Sequence, residues 1–145
     1  MSESLRVISG SDDIAALMHD IGRRARAAAR ALAIAPAEIK SRALTEAAAA
    51  LRADRAAILA ANAEDVAEAR RNGQTASYID RLALDEGRIE AIAAAVEAVA
   101  ALPDPVGRTL ATFTRPNGLV IERVATPLGV VGVIFESRPN VTADA

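Results

Sequence analysis

The loop Glu136-Ser137-Arg138-Pro139-Asn140 gathers a carboxylate, a hydroxyl, a guanidinium and a carboxamide within five residues. It follows Val130-Val131-Gly132-Val133-Ile134-Phe135, a run apolar on both faces rather than alternating. Such a run predicts a strand inside a parallel sheet covered by helices. Polar residues at the C-terminal end of that kind of strand stand where open α/β sheets bind ligands. Each also has a plainer use: Asn140 suits the cap of a helix beginning at Val141, and Arg138 suits an ion pair with Glu136 or another loop carboxylate.

Other chemistries are excluded by residue type. The 145 residues include no Cys and a single His, His19. Disulfide scaffolds, zinc knuckles, thiol nucleophiles on these residues, His metal clusters and Ser–His triads are therefore not expected. His19 reads as a surface or boundary residue at the edge of a helix. Gly129 and Gly132 lack the third glycine of a dinucleotide fingerprint and precede the end of the strand, so they read as points of tight backbone approach. With 17 basic and 19 acidic residues the net charge is −2, which gives no electrostatic reason to expect nucleic acid or an anionic membrane. No basic leader precedes an apolar core at Met1-Ser2-Glu3-Ser4, and no segment reaches the ~20 apolar residues of a membrane span. The expectation is a soluble cytoplasmic protein.

The elements that must position the loop follow from periodicity. Alanine supplies 36 residues, only five of them after residue 100. Alanine favours helix while burying little area, which predicts close-packed helices around a modest core. Ser11-Asp12-Asp13 suits a helix start, and Ile14, Leu17, Met18, Ile21, Ala25, Ala28 and Leu32 form one apolar stripe opposite Arg23, Arg24, Arg26 and Arg30, a solvated face. Pro36 ends that helix and opens the next, with Ile39, Ala43, Leu44, Ala47 and Leu51 as its apolar positions. Asp54 reads as a cap for Ile58, Leu59, Asn62 and Val66, and Asn72-Gly73 as a left-handed stop. A short helix near 77–84, with Tyr78 packing between short helices, leads to Asp85, the cap of a helix that ends at Pro103. Beyond Pro103-Asp104-Pro105 β-branched residues take over. Leu110–Arg115 and Leu119–Ala125 flank Pro116-Asn117-Gly118, where Asn-Gly predicts a hairpin with a type I′ turn.

Several of these strings together carry a resemblance. They are Asp80-Arg81-Leu82-Ala83-Leu84, the segment 101–107, Arg115-Pro116-Asn117-Gly118-Leu119 and the long stretch from Thr126 to Thr142, including Glu136-Ser137-Arg138-Pro139-Asn140-Val141-Thr142. In this order they resemble gamma-glutamyl phosphate reductase (glutamate-5-semialdehyde dehydrogenase), of the aldehyde dehydrogenase superfamily. The resemblance implies an α/β, aldehyde dehydrogenase-like fold of which these residues are an incomplete N-terminal portion. Residues 1–105 would be the helical part of the cofactor-binding domain, 106–126 an oligomerisation-arm hairpin, and 127–145 the first core strand and loop of the cofactor sheet.

The same resemblance implies NADPH-dependent reduction of L-glutamyl 5-phosphate to glutamate 5-semialdehyde and phosphate, a step of proline biosynthesis. In such enzymes a cysteine thiolate attacks the acyl phosphate and hydride reduces the resulting thioester. That cysteine is absent here, so the fragment alone is expected to be inactive. Asn140 is the implied catalytic donor to the substrate oxyanion. Arg138 is the implied substrate-binding residue, able to grip a carboxylate or phosphate bidentately. Phe135, Glu136 and Ser137 are implied to line the nicotinamide-side ribose through backbone groups. No metal is implied. A homo-oligomer is expected when the protein is complete, with glutamate 5-kinase as a partner. The rival expectation is a non-enzymatic helical and hairpin module that pairs with a full-length reductase or another protein.

Overall fold

The computed structural model describes residues 11–145, with side chains from Ile14 onward. The reading of Met1–Ser4 lies outside the described residues, and the Ser11-Asp12-Asp13 cap rests on side chains outside those described. Six helices and two strands follow in order: α1 (Ser11–Ala33), α2 (Ala37–Ala53), α3 (Arg55–Arg71), α4 (Ala76–Leu82), α5 (Glu86–Ala100), β1 (Thr109–Thr114), β2 (Val120–Val124) and α6 (Val141–Asp144). They form two compact units: α1 with the hairpin segment Pro105–Val131, and the helical Pro36–Asp104 with Gly132–Ala145.

In the helical unit α2 and α5 pack as an antiparallel pair. Ala48 of α2 and Ala93 of α5 are both fully buried, beside Val96, with Leu44, Leu51 and Ala143 around them. Two facing alanines let the backbones approach closely, which is why this alanine-rich sequence makes a tight but small core. Ile89 is the largest side chain fully buried. Polar ties close both ends of the pair. At one end Lys40 Nζ meets Asp104 Oδ2 at 2.7 Å, both half-buried. At the other, Arg52 lies between Glu90 and Glu97 of α5, its Nη1 2.5 Å from Glu97 Oε1 and its Nη2 2.8 Å from Glu90 Oε1.

The Arg52 hydrogen bonds hold the Glu97 and Glu90 carboxyls below the usual carboxylate range, against the opposing effect of desolvation. A carboxyl depressed in the folded state binds its proton more readily when unfolded, so stability rises with pH through that interval. The contribution is complete above the ordinary glutamate value of about 4.3 and is lost as pH falls through the lower folded values. Arg52→Gln is therefore expected to lower the urea midpoint at neutral pH and to flatten its acid limb. Parallel curves for the two proteins would show that the clamp contributes nothing.

Helix termini mostly match their sequence signals. Asp85 Oδ1 accepts from Arg88 N at 2.7 Å and caps α5. Behind α3, Gln74 N donates to Ala69 O and Gly73 N to Arg70 O, the paired bonds of a Schellman stop at Asn72-Gly73. Asp54 stands before α3 as expected, but its side chain makes no cap bond. Its backbone instead links two helices, N–H to Ala50 O and C=O to Ile58 N.

In the other unit β1 and β2 pair antiparallel, with Phe113 opposite Ile121 and an irregularity between Thr109 and Ala111. The expected type I′ turn is not formed. Gly118 has φ +83, whereas Asn117 is not at positive φ. Gly118 N donates to Arg115 O, and Arg115 N donates to Leu119 O at 2.8 Å. This is a three-residue loop whose first position, Pro116, has φ locked negative and so cannot begin a primed turn. Asn117 Oδ1 accepts from Leu119 N and completes it. The hairpin exposes both faces, including Phe113 and Ile121. The α1 stripe of Ile14, Leu17, Met18, Ile21 and Leu32 is likewise exposed. On its other face Asp20 pairs with Arg23 and Arg24, a solvated arrangement as expected. His19 is exposed and Tyr78 half-buried.

The run 130–135 forms no strand. Val131 and Ile134 are fully or largely exposed, and no ladder bond reaches this stretch among the described residues. The residue pattern is that of a doubly covered strand, but strand geometry needs a neighbouring strand to accept and donate, and the hairpin pairs only with itself.

Candidate functional site

Asn140 stands at the start of α6. Its C=O accepts from Ala143 N at 2.9 Å and Asp144 N at 3.0 Å, so its backbone is fixed by the helix it opens. The side chain does not cap that helix: φ −58 and ψ −31 already place Asn140 in the helical region. The carboxamide turns instead along the helix, with Nδ2 donating to Asp144 Oδ2 at 2.7 Å. An amide nitrogen carries two hydrogens, so one N–H of Asn140 remains available while the other is held.

Ser137 adopts φ +55, the one positive φ outside glycine among the described residues. A serine there is held against its backbone preference, a feature concentrated at binding and catalytic loops. Phe135 and Glu136 are exposed before it. Arg138 is exposed and has no carboxylate partner among the described residues, so the ion pair with Glu136 is not made. The tight approach expected at Gly129 and Gly132 is also absent, since a Cβ at either would meet nothing within 4 Å. Gly129 matters for its φ of +87 instead.

Asn140 and Asp144 line a hollow of about 380 Å³ together with Arg81 of α4 and Arg88 and Ile92 of α5. Arg138 does not line it. Arg81 and Arg88 were not singled out from the sequence as site residues; the only signal was that Arg81 lies within the Asp80–Leu84 string. Arg88 is consumed structurally. It donates to Asp80 O, to Ala83 O at 2.7 Å, and pairs with Asp80 Oδ1 at 2.9 Å. Asn62, buried on α3, fixes the same connector: Nδ2 donates to Leu82 O at 2.8 Å and Oδ1 accepts from Leu84 N at 2.7 Å. Its place on the apolar stripe of α3 gave no hint of this. A neighbouring groove of about 680 Å³ between α2, α3 and α5 is mostly apolar, and the Asn62 amide on its wall is already satisfied. No cluster of His, Cys, Asp and Glu able to hold a metal occurs among the described residues.

No family model matches the chain. Curated relatives do. The chain is 66% identical over 135 residues to a gamma-glutamyl phosphate reductase of Methylorubrum populi, covering 93% of this chain and 31% of the relative. It is 57% identical over 145 residues to that of Rhodopseudomonas palustris, covering all of this chain and 34% of the relative. The crystal structure of gamma-glutamyl phosphate reductase from Thermotoga maritima superposes with a TM-score of 0.83 at 40% identity, over 87% of this chain and 30% of that one. In sequence and in fold the chain is similar to one part of gamma-glutamyl phosphate reductases. A second such structure, from Saccharomyces cerevisiae, gives a TM-score of 0.82 at 37% identity over 86% of this chain and 32% of its own. The helices and two-stranded sheet match the N-terminal part of gamma-glutamyl phosphate reductase structures, which are aldehyde dehydrogenase-like. The chain spans about a third of the length of the curated relatives it matches.

Proposed function

We propose that these residues are the N-terminal part of an NADPH-dependent glutamate-5-semialdehyde dehydrogenase, reducing L-glutamyl 5-phosphate to glutamate 5-semialdehyde and phosphate for proline biosynthesis in the cytoplasm. The observation that carries this reading is the 66% identity to a reductase of that name. No described helix is long and apolar enough to cross a membrane, which agrees with it. Within the reading, residues 1–105 belong to the helical part of the cofactor domain, 106–126 to the oligomerisation arm and 127–145 to the first core strand and its loop.

The loop residues suit a nicotinamide cofactor. Ser137 sits at φ +55, and the exposed residues Phe135 and Glu136 before it carry backbone N–H and C=O groups able to meet ribose hydroxyls. When bound, the cofactor supplies hydride. Phe135, Glu136 and Ser137 orient it, Arg138 binds a carboxylate or phosphate oxygen of the substrate, and Asn140 donates to the oxyanion forming on the substrate carbonyl. The thiolate that attacks the acyl phosphate comes from elsewhere in the enzyme, because these residues hold no Cys. The exposed edges of the β1–β2 hairpin favour strand pairing with a second copy, and glutamate 5-kinase is the partner that would supply the labile acyl phosphate.

The test uses a full-length reductase whose residues 1–145 are this sequence. Phosphate-dependent reduction of NADP by glutamate 5-semialdehyde is expected from it, and none from residues 1–145 alone. Absence of turnover, together with co-purification of the short chain on a separate reductase, would favour the non-enzymatic module instead.

A further inference from the structure

We propose that Arg81 is a substrate-recognition residue that binds an anionic oxygen of the substrate held against Asn140. The inference rests on the functional reading above and adds a residue to it. Arg81 and Asn140 are 59 positions apart in sequence, yet both line one hollow. The charges around that hollow are already sorted, except for one. Arg88 is paired with Asp80 and turned onto the carbonyls of Asp80 and Ala83. Asp144 is engaged by Asn140. Arg81 has no carboxylate partner among the described residues. Its Nη1 donates to Ser77 Oγ at 2.8 Å, one turn earlier on α4, which steadies the guanidinium and leaves the rest of its five-donor fork open.

A planar, steadied guanidinium without a carboxylate partner, sharing a hollow with an amide donor, suits a carboxylate or phosphate, to which Arg binds by parallel charge-assisted bonds. The connector that carries Arg81 is held from two sides, by Asn62 and by Arg88, so the cation is placed before any ligand arrives. Ile92 adds an apolar wall suited to a short methylene chain. An amino-acid acyl phosphate, with one oxyanion at each end and methylenes between, has this pattern.

The reaction run towards oxidation separates the two sources of anionic oxygen. Aldehyde, inorganic phosphate and NADP combine to acyl phosphate, NADPH and a proton, so the carboxylate and the phosphate arrive on different substrates. In the full-length reductase, Arg81→Gln is expected to raise KM for one of them about tenfold or more, the size of a lost charge-assisted pair. KM for NADP should be unchanged and kcat within a few-fold, with partial recovery in Arg81→Lys. A shift confined to the semialdehyde assigns Arg81 to the carboxylate, and one confined to phosphate assigns it to the phosphoryl group. No shift in either, or a shift in NADP alone, overturns the proposal. Titration of glutamate and of inorganic phosphate onto the wild-type and Arg81→Gln proteins reads the same contact without turnover. Saturable binding weakened by the substitution supports it, and equal or absent binding in both overturns it. An inactive wild-type enzyme that still binds through Arg81 would sink the functional reading alone.

Discussion

Asn140→Ala in the full-length reductase is expected to lower kcat by about 10²–10³-fold while leaving the KM for substrate within a few-fold, the signature of a donor that matters chiefly in the transition state. The geometry favours such a role because the donor is held before the reaction. The backbone of Asn140 is fixed by two α6 hydrogen bonds, and one N–H of its amide is anchored on Asp144 at 2.7 Å. The remaining N–H is the one available to charge developing on a carbonyl oxygen in the adjoining hollow. Asn140→Asp should be at least as damaging, since it replaces the donor with a second carboxylate beside Asp144. A kcat within threefold of wild type in Asn140→Ala, with cofactor affinity intact, removes the residue from the chemistry.

Asn62→Ala is expected to cost about 2–4 kcal/mol of stability, read from the urea midpoint. The substitution removes both bonds of a buried carboxamide at once and leaves Leu82 C=O and Leu84 N–H without partners, each at roughly 1–3 kcal/mol. Asn62→Asp keeps the acceptor for Leu84 but loses the donor to Leu82, so it should also destabilise. Because the same bonds fix the junction between α4, which carries Arg81, and α5, which carries Arg88, the Ala variant is further expected to raise substrate KM at temperatures where the fold persists. A change below about 0.5 kcal/mol, the range of neutral surface substitutions, would mean that water satisfies the connector as well as the amide does.

These two asparagines differ in how readable they are. Asn140 stands out in the sequence because it ends a polar string after an apolar run. Asn62 occupies an apolar-stripe position among Ile58, Leu59 and Val66, and hydrophobic spacing has no way to mark a residue whose partners lie 20 and 22 positions away. Arg52 is similar: it lies in the last turn of α2, yet its fork spans Glu90 and Glu97 across the helix pair. The turn at Pro116-Asn117-Gly118 fails for a local reason. Asn-Gly by itself favours a type I′ turn, but the fixed φ of the proline before it selects a longer loop.

From the residues alone came the helices, their stops at Pro36 and Asn72-Gly73, the Asp85 cap, the hairpin and the strings that mark the reductase family. All of these depend on neighbours within a turn or two, where dihedral preference and side-chain spacing act directly. Only the tertiary structure decided that Asn62 ties the Leu82–Leu84 connector, that Arg81 shares a hollow with Asn140, and that 130–135 stays unladdered. Those outcomes depend on which distant groups are present to complete a hydrogen bond or a sheet, and a linear pattern carries no record of that.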